Sequence, residues 1–156
     1  SAIEHEQGIV GCGLSHKKLL SEIKPNTLIL EDDIGSTTVA TNSVLNIPEE
    51  ADAIYLGVSN HGYINQPMGV AGTVLAAQYD ENYKKVFNMC STHAILYLSQ
   101  EYIDAAHGVI TNCLKYGAPF DLGLAALHRY FTILTPNDPY FYQTEQEAFT
   151  KLSLLA

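Results

Sequence analysis

Three consecutive acids, Glu31-Asp32-Asp33, follow the apolar run Thr27-Leu28-Ile29-Leu30 and precede Ile34-Gly35. Adjacent carboxylates repel one another and are costly to desolvate, so a fold that gathers them must face them with water, a cation or positive groups. The chemistry to look for is metal-assisted handling of an anionic ligand.

The elements around the acids say how they are presented. The run Thr27–Leu30, entered through Pro25-Asn26, reads as a buried strand in a sheet covered on both faces. The acids then stand at the carboxyl end of that strand, where open α/β sheets gather their ligands. From Gly11 to Ile23 the spacing is helical, with Cys12, His16, Leu19, Leu20 and Ile23 on one face. His16 therefore points with the apolar stripe, as a satisfied core histidine or as a ligand. Ser15 lies beside the stripe, with nothing to make it a nucleophile. A second buried strand, Ala53 to Val58, ends in Ser59-Asn60-His61-Gly62 at what is expected to be the same sheet edge. Asn60 and His61 are candidates for substrate contact there, although an ordinary turn is the favoured reading of these residues.

The remaining chain supplies a scaffold. Residues Ser1 to Gln7 read as polar and loose, and Gly35 to Asn46 as a loop with a short helix. The glycines at 8, 11 and 13 have the wrong spacing for a dinucleotide fingerprint. Thr73–Gln78 and Tyr83–Met89 form a hairpin pattern around Asp80-Glu81-Asn82, and Ala94–Leu98 is a further strand. Ser99 is placed to cap a helix from Gln100 to Tyr116, which Gly117 stops. Asp121 falls at the expected N-cap of a helix from Leu122 to Tyr130. Phe131–Leu134 and Tyr140–Gln143 read as extended, and Glu145–Leu155 as helical. No repeat or linker divides residues 1–156, so a single domain is expected.

The formal charge of −9, with Arg129 the only arginine, argues against a nucleic-acid footprint, which needs clustered bases. It also means that a phosphate-bearing ligand needs a cation or backbone amides here. Cys12, Cys90 and Cys113 follow no metal-binding or redox spacing and read as reduced core cysteines, the basis for expecting a cytoplasmic protein. No run is long enough to span a bilayer. Aromatics at Tyr140 to Tyr142 make a homo-oligomer an unsurprising outcome.

Several separated blocks together resemble glycosyltransferase family 25, which includes lipopolysaccharide-type and collagen galactosyltransferases. Gly8-x-x-Gly11-Cys12-x-x-Ser15-His16 followed by Leu28-Ile29-Leu30-Glu31-Asp32-Asp33-Ile34 is similar to that family's paired helix and acidic-strand motif. Thr92-His93-Ala94-Ile95-Leu96-Tyr97 looks like its threonine-x-alanine-tyrosine strand. Pro119-Phe120-Asp121 looks like its proline-x-aspartate, and Pro139-Tyr140-Phe141-Tyr142-Gln143 like its closing proline and glutamine.

The resemblance implies a GT-A-like α/β fold, a mixed sheet flanked by helices, and metal-dependent transfer of a sugar such as galactose from a nucleotide-diphosphate donor to a glycan acceptor. It implies Mn²⁺, or Mg²⁺, as the cofactor. Glu31 and Asp33 would be the metal ligands, since alternation in an extended segment puts them on one side and Asp32, toward the substrate, on the other. The hard oxygen ligands and the diphosphate suit such an ion. Asp121 is the expected base for the acceptor hydroxyl, a role that competes with capping its helix. The family's opening Ile-Asn-Leu-Asp strand and its arginine-bearing segment have no counterpart here, so the expected fold is a truncated one. The alternatives are a non-catalytic, degenerate transferase-like domain and, on the acids alone, a metal-dependent phosphohydrolase.

Overall fold

A computed structural model of the protein describes residues 2–40, 44–57 and 75–143, with side chains from Gln7 onward. The chain opens with helix α1, Ala2–Leu20, followed by strands β1 (Thr27–Leu30), β2 (Ile34–Ser36) and β3 (Ala53–Tyr55). Strands β4 (Ala76–Gln78), β5 (Tyr83–Val86) and β6 (Ala94–Tyr97) come next, then helices α2 (Gln100–Tyr116) and α3 (Phe120–Leu127). A 3-10 turn, His128–Tyr130, leads to β7 (Ile133–Pro136) and β8 (Phe141–Gln143).

The six-stranded sheet runs β1-β6-β3-β7-β5-β4, and β2 pairs with β8 separately. Among the described residues β3 and β7 form the one parallel ladder, beside a single parallel bridge from Gly57 to Phe141, and every other ladder is antiparallel. The architecture is thus α/β with a mixed sheet and flanking helices. Period-two alternation gives the central strands two buried faces. Ala53, Tyr55, Ile95, Tyr97 and Ile133 meet the helices through Tyr102, Ile103, Ile110 and Leu124. Ile54, Leu56, Ala94, Leu96 and Leu134 form a second cluster on the opposite face, against Leu45, Tyr140 and Phe141.

Helix α2 keeps the expected bounds because both ends are fixed by the side chains that chemistry calls for. Ser99 accepts a hydrogen bond from the Tyr102 N–H at 3.2 Å. Gly117 closes the helix at φ 68°, a left-handed conformation that favours glycine. The β4–β5 hairpin forms as expected, with Asp80 Oδ1 accepting from the amides of Asn82 and Tyr83.

Other expectations need correction. Residues Ala2 to Gln7, read as loose, belong to α1; Ala, Glu and Gln are good helix formers, and the early acids complement the helix dipole. Helix α3 begins at Phe120 with Pro119 as N-cap, so Asp121 is one residue inside, where its Oδ1 accepts from the Leu122 N–H at 2.9 Å. Proline's fixed φ and missing N–H suit the entry to a helix. Strand β1 is not covered on both faces. It lies at the sheet edge, with Ile29 buried while Leu28 and Leu30 are 41% and 43% exposed. The segments holding Asn60, His61 and Glu145–Leu155 lie outside the described residues.

Candidate functional site

The acids begin where β1 stops. Glu31 continues the ladder by one bond, its N–H donating to the His93 carbonyl at 2.9 Å, and Asp32 and Asp33 turn the chain into β2. The alternating projection expected for an extended Glu31-Asp32-Asp33 therefore does not apply: the strand ends at Leu30.

Helix α1 is set so that one of its faces meets this strand end. Cys12 and His16 are four residues apart, one helical turn on one face. His16 is buried, and its Nε2 lies 3.0 Å from Glu31 Oε1. Cys12 Sγ lies 3.6 Å from the same oxygen. Thr92, just ahead of β6, donates its hydroxyl to Glu31 Oε1 at 2.8 Å. Since an ionised carboxylate only accepts, Nε2 carries the proton when Glu31 is charged. Burial pushes the Glu31 carboxyl up, but the bonds from His16 and Thr92 and the nearby histidines outweigh it and hold the group below its ordinary value. Burial, and then the Glu31 charge beside it, push the Cys12 thiol up to about 12.

Beyond Glu31 the site opens. A cavity of about 420 Å³ lies between α1 and the turn, lined by Cys12, Ser15, His16 and all three acids. Asp32 is exposed and Asp33 half-buried, with Gln143 Nε2 at 3.5 Å from Asp33 Oδ2. Ser15 is spent on its own helix, donating to the Gly11 carbonyl at 3.0 Å. Phe120 packs its ring 5.3 Å from that of His16, which holds the start of α3 against α1.

A second polar cluster supports the first. His93 is buried beside Gly57, where a Cβ would come within 1.8 Å of His93 Nε2, so no side chain fits at position 57. His93 Nδ1 pairs with Ser91 Oγ at 3.0 Å, and that hydroxyl lies 3.2 Å from the Gly57 carbonyl. Burial lowers the His93 pKa, more than its bond to the Phe141 carbonyl and the Glu31 charge raise it.

The expected site residues thus divide. Glu31, Asp32 and Asp33 share one cavity, and Glu31 is turned inward onto partners rather than toward it alone. Asp121 is half-buried, with its charge felt at Cys90 and Cys113, and no described contact joins it to the acids. The bond from Thr92 to Glu31 was not foreseen; a threonine opening a strand that pairs with β1 was the available signal. Cys12, read as a plain core residue, is also at the site.

Fit to a divalent cation can be judged from the donors. Asp32 and Asp33 both line the cavity, Asp32 exposed and Asp33 with Oδ1 buried, and carboxylate oxygens are the donor type that suits Mg²⁺ or Mn²⁺. No lysine or arginine lines that cavity among the described residues, and Arg129 lies over the Tyr130 ring, 6.0 Å from its centroid. No helix among them is long and apolar enough to cross a membrane. No protein-family model, curated protein or solved structure matches the chain.

Proposed function

We propose that the protein is a glycosyltransferase-like domain that transfers a sugar, such as galactose, from a nucleotide-diphosphate donor to a glycan acceptor with the help of Mn²⁺ or Mg²⁺. The observation that carries this reading is convergence. The separated blocks that resemble the transferase family meet around one carboxylate turn: Cys12 and His16 from α1, Thr92 before β6, Phe120 on His16, and Gln143 on Asp33. A resemblance scattered at random along the chain would have no reason to collect around one turn and the histidine packed against it.

Under this reading Asp32 and Asp33 hold the cation, and Glu31 fixes the turn from behind through His16 and Thr92. A bound ion would neutralise the charge developing on the diphosphate leaving group. Asp121 remains the proposed base for the acceptor hydroxyl by its place in the motif, and it requires the acceptor to bridge to α3. Calorimetric titration with uridine diphosphate is the test. Binding that needs Mn²⁺ and is lost in Asp33→Asn, with release of uridine diphosphate from a donor sugar, supports the transferase. Absence of binding with and without Mn²⁺ rejects it.

One observation favours a second reading, a transferase-like domain without activity. The cavity wall offers no basic side chain to a diphosphate among the described residues. Metal-dependent nucleotide binding without turnover of any donor sugar would select that reading.

A further inference from the structure

We infer that Cys12, His16 and Glu31 form a second metal site, selective for Zn²⁺ or a similar borderline ion and separate from the outer acids Asp32 and Asp33. The inference goes beyond glycosyl transfer and does not depend on it.

Geometry carries it. Tetrahedral zinc binds nitrogen and oxygen at about 2.0–2.1 Å and thiolate sulfur at about 2.3 Å, which places N/O donor pairs about 3.3 Å apart and S/O pairs about 3.6 Å apart. Here His16 Nε2 and Glu31 Oε1 are 3.0 Å apart, Cys12 Sγ and Glu31 Oε1 are 3.6 Å apart, and the three residues' donor atoms all lie within 4.8 Å of one another. The sulfur–oxygen spacing already fits one ion, and the nitrogen–oxygen pair needs only about 0.3 Å of opening. Two donors come from successive turns of α1 and the third from the end of β1, so the chelate would tie helix to sheet.

The surroundings suit the ion. His16 is buried with the Phe120 ring packed against one side, the three residues line the cavity of about 420 Å³, and that cavity leaves room for water or substrate as a fourth ligand. Thr92 bonds Glu31 from outside the cluster and would orient it as an outer-shell partner. The thiolate is a soft donor and imidazole a borderline one, a set that favours zinc over the hard Mn²⁺ and Mg²⁺ that prefer all-oxygen sites. The proton balance is simple. Cys12 releases one proton to solvent as its sulfur binds, and the His16 ring proton passes from Nε2 to Nδ1, an atom that has no hydrogen-bond partner among the described residues.

Cobalt substitution gives the test. The metal-free full chain is titrated with Co²⁺, and its absorption is followed in the near ultraviolet and the visible. The expected result is a thiolate-to-cobalt charge-transfer band and tetrahedral d–d bands, saturating at one ion per chain and bleached by one equivalent of Zn²⁺. Both should be lost in Cys12→Ser, both should persist in Asp32→Asn and Asp33→Asn, and Thr92→Val should weaken Zn²⁺ binding about tenfold or more. Circular dichroism of each variant checks that the fold is kept. If wild type shows no charge-transfer band, or the band survives in Cys12→Ser, or it disappears in a folded Asp32→Asn or Asp33→Asn variant, the inference is overturned. Because no nucleotide is present, failure here is independent of failure to bind uridine diphosphate.

Discussion

At the scale of single residues, buried histidines set the response to acid. His128 is fully buried, with Nδ1 3.1 Å from the Met89 N–H and Nε2 3.1 Å from the Tyr55 hydroxyl. The amide can only donate, so Nδ1 accepts and the proton resides on Nε2. That proton points at Tyr55, whose hydroxyl is 2.6 Å from that of Tyr102. Burial drives the His128 pKa from 6.5 down to about 3. The unfolded chain then binds more protons than the folded one between those values, and stability falls as pH falls. The contribution approaches about 1.4 kcal/mol per pH unit well inside that window. Glu31, held below its ordinary value, acts in the same direction at lower pH. Urea unfolding from pH 7.5 to 4.5 should show this loss beginning near 6.5, the ordinary value for the ring; a flat profile would mean that His128 is not held neutral. Cys12 offers a second measurement. With its pKa near 12, the metal-free protein should resist alkylation of Cys12 at pH 8, and Glu31→Gln should speed the reaction by removing the adjacent charge. Peptide mapping reads both.

At the scale of elements, β1 and the Gly57–His93 contact make opposite demands. The inner face of β1 is buried and the outer face only partly covered, so Ile29→Ala should cost about 2–5 kcal/mol while Leu28→Ser and Leu30→Ser cost less, about 1–2 kcal/mol each. Denaturant titration of the three variants would expose an error in the edge assignment if Leu28→Ser or Leu30→Ser matched Ile29→Ala. Gly57→Ala forces a methyl into the His93 ring, and overpacking of this kind should cost about 1–3 kcal/mol. The same measurement in a His93→Ala background should recover part of that loss. The elements themselves were largely legible from residue patterns. Helix α2 announced both ends through Ser99 and Gly117, β3 and β6 announced themselves as continuous apolar runs, and the β4–β5 hairpin showed through its turn residues. The start of α3 was misread because Asp121 is a better cap by type than Pro119. β1 was misread because a run of four strand-forming residues looks the same in a covered strand and at an edge.

At the scale of the whole molecule, strand order decides what the local pattern cannot. Nothing in Thr92 or Gln143 taken alone says that each reaches the acids from more than 60 residues away. The acids were visible as chemistry, and the pairing of His16 with the apolar stripe was visible as burial. Their meeting depended on α1 packing across the end of β1, a tertiary fact. The distribution of roles among the acids was equally hidden, because it depends on where the strand stops. Hydrogen exchange should report the resulting hierarchy: amides of β3 and β6, each paired on both sides, are expected to be protected more strongly than those of β1.

Every second N–H and C=O of β1 faces away from β6 and meets no other strand among the described residues. The turn carrying Asp32 and Asp33 is the direct continuation of that half-paired strand. If a strand added to β1 ordered that turn, linkage would require a ligand that orders the turn to tighten the grip on the added strand by the same factor.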